Sequence, residues 1–133
     1  MTVTTLNIPG FGPPAQGSHL TAARGGTVIH IAGQVGADEN GTVAAGLAAQ
    51  MERAALNVEL ALQAAGATVD DLVSMTIYVV GWDPSMIGEL VQGATAARRG
   101  SRPINTAYTL IGVHSLFTPE LLVELQAAAV VEA

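Results

Sequence analysis

Hydrophobic residues recur along this chain with two different periods, which predict both strands and helices. Between residues 70 and 80, DDLVSMTIYVV, apolar and polar residues alternate, as in a strand with one buried face. Residues 46–66, GLAAQMERAALNVELALQAAG, instead repeat apolar side chains at helical spacing, the pattern of an amphipathic helix. The face of this helix predicted to be buried carries Leu47, Met51, Ala55, Val58, Leu62 and Ala65. Gly66 is predicted to cap its C-terminus.

Turn-forming residues separate the other elements. Residues 8–17, IPGFGPPAQG, are dense in proline and glycine and predict a loop. The following SHLTAARGGTVIHIAGQVG predicts a short strand, a tight RGG turn and a second strand that includes Thr27–Ile31. Asn40-Gly41 predicts a further turn. A second helix is predicted in GWDPSMIGELVQGATAARRGS, with Asp83 as its cap and Pro84 at its first position.

The segment 104–130, INTAYTLIGVHSLFTPELLVELQAAAV, predicts two closing strands around a short turn. The element order is therefore β-β-α-β-α-β-β. Strands joined through helices are expected to run parallel, and the two closing strands are expected to pair as a hairpin. The prediction is an α+β fold in a single domain, residues 1–133, with one mixed sheet and two helices on one face.

The small fraction of charged residues indicates that this single domain does not stay a monomer. Half of the 133 residues are apolar and only 12% are charged, against about 25% in an average soluble protein. No third helix is predicted that would cover the second face of the sheet. Both observations predict a homo-oligomer in which copies of the chain bury that face.

Composition and motifs argue against several classes of function. There is no lysine, and five arginines against eleven acids give a net charge of −6, which argues against nucleic-acid binding. The one basic cluster, Arg98, Arg99 and Arg102, is interpreted as a solvated helix end. The absence of cysteine excludes thiolate chemistry and disulfides.

Metal, phosphate and membrane signals are also missing from the sequence. The three histidines lack the spacing of a metal pair, and no phosphate-binding glycine motif is present, so no metal or cofactor is expected. No apolar run reaches the length of a membrane helix, and the N-terminus does not look like a signal peptide. A cytoplasmic location, with no membrane partner, is the expectation.

Glu124 is the sharpest candidate for chemistry. In LLVELQAAAV it shares a strand face with Leu122 and Gln126, whereas Val123 and Leu125 belong to the core face. A carboxylate at an interface cleft is suited to proton transfer near neutral pH. An ordinary interfacial or solvent-facing glutamate remains the alternative.

Other polar residues carry weaker signals. His30 is interpreted as a half-buried or interfacial histidine, and Gln34 lies between glycines that allow close approach of either a turn or a ligand. Tyr108 lies on the strand that precedes Glu124 and is expected near it, although simple packing is the alternative.

Taken in order, these segments resemble the RidA/YjgF family of small proteins over roughly residues 18–131. The resemblance rests on the Gly-Gln pair after the second strand, the helix with Q…N…L…AAG, the strand after DD, and the closing VELQAAAV. It implies a chorismate-mutase-like homotrimer whose sheets face the threefold axis, with ligand clefts between neighbouring chains. Active members of the family hydrolyse 2-imino or 2-enamino acids to 2-oxo acids and ammonia without a metal or cofactor.

The resemblance also assigns residues. The family's glutamate, which helps to position or activate water, corresponds to Glu124. Its carboxylate-binding arginine corresponds to Tyr108, which is followed by Thr109, so the chain resembles a subgroup that lacks this arginine. A tyrosine at the cleft mouth corresponds to His19, and a serine before the Gly-Gln pair corresponds to Ala32, next to Gln34.

Two functions follow as hypotheses. In the first, the protein is a hydrolase or deaminase that acts on C=N or C–N bonds of a small molecule, with Glu124 as general acid/base and the other assigned residues as substrate contacts. In the second, the same trimer binds a metabolite or a protein without catalysis. Arg102 offers no well-supported replacement for the missing arginine, and the endoribonuclease activity described for some members is disfavoured by the net charge of −6.

Overall fold

The computed structural model describes residues 2–132 and confirms the predicted α+β fold with two helices on one face of a mixed sheet. The strands are β1 (Val3–Leu6), β2 (Leu20–Ala23), β3 (Thr27–Val35), β4 (Leu72–Val80), β5 (Ala107–Val113) and β6 (Val123–Val131). The helices are α1 (Leu47–Ala64) and α2 (Ile87–Arg98). Short 3₁₀ turns at Val69–Asp71 and Pro84–Met86 precede β4 and α2.

The main sheet has four strands in the order β3-β6-β4-β5. β4 and β5 are parallel neighbours, and β6 runs antiparallel to both β3 and β4. The predicted hairpin of the two closing strands is therefore wrong, because β6 lies between β3 and β4 and has no ladder with β5. As a central strand, β6 hydrogen-bonds along both edges while its alternate side chains, Val123, Leu125 and Ala129, are fully buried.

The first predicted strand lies outside this sheet. β2 pairs antiparallel with β1 in a separate two-stranded ribbon. β1 was not predicted from the sequence, because four residues give too short a pattern. Residues 8–17 between the two strands form turns and loop, as their proline and glycine content predicts.

The helical layer follows the predicted apolar face at four of its six positions, whereas Ala55 is half-buried and Ala65, just beyond the end of α1, is exposed. α1 buries Leu47, Met51, Val58 and Leu62 against the sheet, and Gly66 takes a positive φ of 74° just beyond its C-terminus. α2 crosses α1 at Gly93, where an added Cβ would lie 2.8 Å from the Cβ of Met51. Asp83 caps the turn before α2 by accepting a hydrogen bond from the Ser85 N–H at 2.9 Å.

A buried glutamine joins α1 to the start of β6. Gln50 is 2% exposed. Its Nε2 donates to the carbonyls of Ala44 at 3.1 Å and Glu120 at 3.0 Å, and its Oε1 accepts from the Leu122 N–H at 2.8 Å. One side chain therefore satisfies three backbone groups and fixes the segment that leads into Glu124.

Replacing Gln50 with leucine is expected to lower the free energy of unfolding by about 2–4 kcal/mol, because three buried backbone groups lose their partners while side-chain volume is kept. Urea unfolding at fixed protein concentration measures this change. Gln63→Leu, at an exposed position of the same helix, is the matched control and is expected to change stability by less than about 0.5 kcal/mol. Equal effects of the two substitutions would contradict this account of Gln50.

The second face of the main sheet has no covering layer within residues 2–132. Val28 on β3 is 59% exposed and Ile111 on β5 is 42% exposed. The register places Tyr78, Glu124 and Gln126 on this same face, opposite the buried rows of β4 and β6. We call it the open face; it agrees with the bare sheet face expected from the sequence.

Candidate functional site

Glu124 lies on the open face near the start of β6, between the ends of β3 and β4. Its cross-strand partners are Val35 on β3 and Tyr78 on β4. A Cβ built on Gly33 would lie 2.5 Å from the Cδ of Glu124, so the glutamate side chain rests directly against the glycine backbone. Beside it, the Tyr78 hydroxyl donates a hydrogen bond to Gln126 Oε1 at 2.8 Å.

Among residues 2–132, no cation forms an ion pair with this carboxylate. Across residues 2–132 the one ion pair joins Arg102 and Asp70, at 4.0 Å, and both side chains are largely exposed. Glu124 is half-buried, and its partner on the neighbouring strand is Tyr78, whose hydroxyl donates to Gln126. The site therefore offers a carboxylate whose neighbours on the open face are mainly small, apolar or uncharged polar side chains.

Tyr108 does not lie near Glu124, contrary to the expectation from the sequence. In the parallel ladder of β4 and β5 it pairs with Met75, a core residue, so its ring points toward the helices. Its neighbour Thr109 pairs with Thr76 and is exposed on the open face. Of the two candidate residues on β5, Thr109 is the one that shares a face with Glu124.

The environment of Tyr108 is that of a packed core tyrosine. Its hydroxyl donates to the Ile104 carbonyl at 2.9 Å, and its ring packs beside Gly17. Burial raises the pKa of Tyr108 to about 12, although the nearby Arg98 guanidinium acts in the opposite direction. The phenol is therefore neutral at physiological pH.

The loop before β2 holds His19. Its Nδ1 accepts a hydrogen bond from the Ile8 N–H at 3.0 Å, and its ring meets Phe11 edge-to-face with centroids 6.2 Å apart. These two contacts fix the orientation of the imidazole ring. The loop is anchored to the start of β5, where the Ser18 N–H donates to the Thr106 carbonyl at 3.0 Å.

Ala32 and Gln34 lie at an irregularity of β3. The pairing of β3 with β6 shifts between Ile31 and Gln34, and Gln34 Nε2 donates to the Ala32 carbonyl at 3.0 Å. This shift brings the Gly33 backbone against Glu124. His30 is exposed and pairs with Ala128, farther along the open face.

The structure thus groups the candidate residues differently from the sequence. Glu124, Ala32 and Gln34 share one region of β3 and β6, Thr109 lies two strands away on the open face, and His19 belongs to the N-terminal loop. Tyr78 and Gly33 are neighbours of Glu124 that the sequence did not single out. Alternation in β4 did place Tyr78 on the uncovered face, but only the register of β4 and β6 shows that it is opposite Glu124.

Comparison with known proteins identifies the same family over nearly the whole chain. The family model described as endoribonuclease L-PSP matches residues 12–131. A comparison with curated proteins gives no match.

Solved structures agree with this assignment. A Rid-family protein of unknown function, YyfB from Yersinia pestis, is 33% identical, with 98% of this chain and 100% of that chain covered and a TM-score of 0.85. Rv2704 from Mycobacterium tuberculosis, of the YjgF/YER057c/UK114 family, is 32% identical over 86% of each chain, with a TM-score of 0.62. The YjgF product of E. coli is 28% identical over 90% of this chain and 88% of that chain, with a TM-score of 0.68. This chain therefore belongs to the endoribonuclease L-PSP family, the family of the Rid and YjgF proteins.

Proposed function

We propose that the protein is a homotrimer with small-molecule clefts between its subunits and that it hydrolyses imine- or enamine-type metabolites in them. The open face supports the trimer, because Val28 and Ile111 leave large apolar surface uncovered on a chain that is only 12% charged. Three sheets packed around one axis bury these side chains and keep the helices outside. Glu124 then lies at a subunit boundary.

The position of Glu124 is the observation that carries the catalytic proposal. As water adds to the carbon of a C=N bond, the carboxylate accepts a proton from that water. The carboxylate returns this proton to the nitrogen, which gives a carbinolamine. It then takes the proton of the new hydroxyl group and passes it to the amino nitrogen, so that the C–N bond breaks, ammonia leaves and the carbon becomes a carbonyl. The reaction needs no oxidant. Tyr78 lies opposite Glu124 on β4, with its hydroxyl hydrogen-bonded to Gln126.

The substrate class follows from the charges on the open face. None of the arginines lies on the strands that carry this face, and Thr109 at the β5 position next to Tyr108 is uncharged. A carboxylate-bearing imine therefore finds no fixed cation on this chain's face, whereas a neutral or amine-bearing imine suits Glu124. The same lack of arginine favours the second candidate, a trimer that binds a metabolite without turnover.

RNA cleavage, the activity in the family's description, fits this chain poorly. A net charge of −6 and the absence of arginine from the open face oppose binding of a polyanion. We therefore propose a small molecule as the ligand of the clefts and no nucleic-acid partner, metal or cofactor for the reaction.

The direct test is release of ammonia from freshly generated imines by the purified protein. Neutral imines with an unsubstituted nitrogen and 2-iminopropanoate are compared at equal concentration with the uncatalysed reaction. Accelerated hydrolysis of the neutral imines supports the enzyme. No acceleration with any imine, together with saturable ligand binding, supports the non-catalytic trimer instead.

Gly33→Ala probes the contact that holds Glu124. The new Cβ overlaps the flexible end of the glutamate side chain, so the carboxylate must move while the backbone stays. We expect the rate of imine hydrolysis to fall about 10- to 100-fold, since a displacement of about 1 Å at a catalytic group has effects of this size. Stability, measured by urea unfolding, is expected to change by less than about 1 kcal/mol.

Gly88→Ala is the matched control, because a Cβ at this position of α2 meets nothing within 4 Å. It is expected to keep the wild-type rate. If Gly33→Ala also keeps the wild-type rate, the position of the Glu124 carboxylate does not matter for the reaction.

A further inference from the structure

A cavity of about 490 Å³ lies on the helical side of the molecule, away from the open face. The part of α1 from Arg53 to Gln63, residues 67–69, and the end of α2 with the residues just after it form its walls. Its lining contains Arg53, Arg98 and Arg99, three of the five arginines of a chain whose net charge is −6. One carboxylate, that of Glu59, is also present. Three arginines therefore line one cavity in a protein whose net charge is negative.

Helix dipoles explain only part of this arrangement. A cation in the last turn of a helix is favoured by the partial negative charge there, which accounts for Arg98. Arg53 lies in the second turn of α1, which runs from Leu47 to Ala64, and has no such advantage. The helix dipole therefore does not explain why Arg53 lines this cavity.

Two of the guanidinium groups are already held in position. Arg53 donates from Nε and Nη2 to Asn57 Oδ1, at 3.0 and 2.7 Å, and Asn57 in turn donates to the Val35 and Ala37 carbonyls. Arg98 donates from Nε to the Arg102 carbonyl at 2.8 Å. Each retains further N–H groups, so both are preorganised donors for an anion.

The backbone at the third arginine is strained. Arg99 has φ 49° and ψ 46°, the left-handed conformation, and is the one non-glycine residue with positive φ among residues 2–132. Glycine is the usual residue at such a helix end, and a longer side chain there costs about 1 kcal/mol or more. The arginine side chain at this position lines the cavity despite that cost.

The rest of the wall is apolar. Leu56, Leu60 and Val69 line the cavity beside the arginines, and Leu60 is 54% exposed. We propose that this cavity binds a small amphipathic anion, whose carboxylate or phosphate contacts Arg53, Arg98 and Arg99 and whose apolar body covers Leu60. The site is separate from Glu124 and does not depend on the function proposed for the open face.

Hexyl phosphate, hexanoate, inorganic phosphate and the uncharged hexanol are the probes, each titrated into ¹⁵N-labelled protein at physiological salt. The expected result is saturable amide shifts at residues 67–69 and 97–101 with the two amphipathic anions. Weaker shifts are expected with inorganic phosphate and none with hexanol. Arg53→Gln and Arg99→Gln are each expected to raise the dissociation constant about tenfold, the effect of one lost charge-assisted contact.

Arg99→Gln leaves the hydrogen bonds of Asn57 intact, so it separates loss of binding from loss of structure. Arg24→Gln, in the turn before β3 and outside the cavity, removes the same charge and is expected to bind as wild type. Non-saturating shifts, equal shifts with hexanol, or equal dissociation constants for Arg99→Gln and Arg24→Gln would overturn the proposal. So would shifts confined to the open face.

Discussion

Replacing Glu124 with glutamine is expected to lower the rate of imine hydrolysis by about 10²–10⁴-fold, the usual contribution of a positioned general acid/base. The amide has nearly the same size but cannot accept a proton from water. Because Glu124 is half-buried on a face that the core does not use, the fold and the assembly are expected to survive. Initial rates of ammonia release measure the effect, with circular dichroism as the check on folding.

The matched control is Glu120→Gln, which removes the same charge from an exposed position shortly before β6. It is expected to keep the wild-type rate, since its side chain lies outside the strand that carries the open face. A Glu124→Gln variant that hydrolyses imines as fast as wild type would exclude this carboxylate from the reaction.

Thr109→Arg is expected to raise kcat/KM for 2-iminopropanoate by about 10- to 100-fold, equivalent to about 1.4–2.8 kcal/mol. Neighbouring strands lie about 4.8 Å apart, so β5 is about 10 Å from β6 across β4. A guanidinium at position 109 projects from the open face and supplies the cationic fork that a substrate carboxylate needs. Rates with neutral imines are expected to change little.

Two variants control for this gain. Thr109→Leu changes size without adding charge and is expected to give no gain. Tyr108→Arg places the same guanidinium one residue earlier, on the helical side beside Met75. There it is expected to destabilise the fold and to leave the preference between neutral imines and 2-iminopropanoate unchanged. If Tyr108→Arg gains activity and Thr109→Arg does not, our assignment of the two faces of β5 is contradicted.

Alternation in the sequence was sufficient to predict the two faces of the central strands. Val123 and Leu125 are buried and Glu124 is not, as their positions in LLVELQAAAV indicate. The same reasoning predicted four of the buried residues of α1 and its end near Gly66. These predictions succeed because they depend only on the period of side chains along one element.

Features that depend on pairing between distant elements were not predictable in this way. The order of strands places β6 between β3 and β4, and adjacency in sequence suggested a hairpin instead. The orientation of Tyr108 was also missed, because a shift of one residue moves a side chain to the other face and INTAYTLIGV alternates only weakly. The contact between Gly33 and Glu124 arises from an irregular pairing of β3 that leaves no clear sequence signal.

Both proposed functions require that copies of the chain cover the open face, so the molar mass in solution tests their shared basis most directly. Sedimentation equilibrium at micromolar concentration is expected to give three times the chain mass of 13.5 kDa. Ile111→Glu, which places a charge on the open face, is expected to dissociate the assembly. A wild-type monomer at this concentration would contradict the account, because Glu124 would then lie on an exposed sheet and not in a cleft.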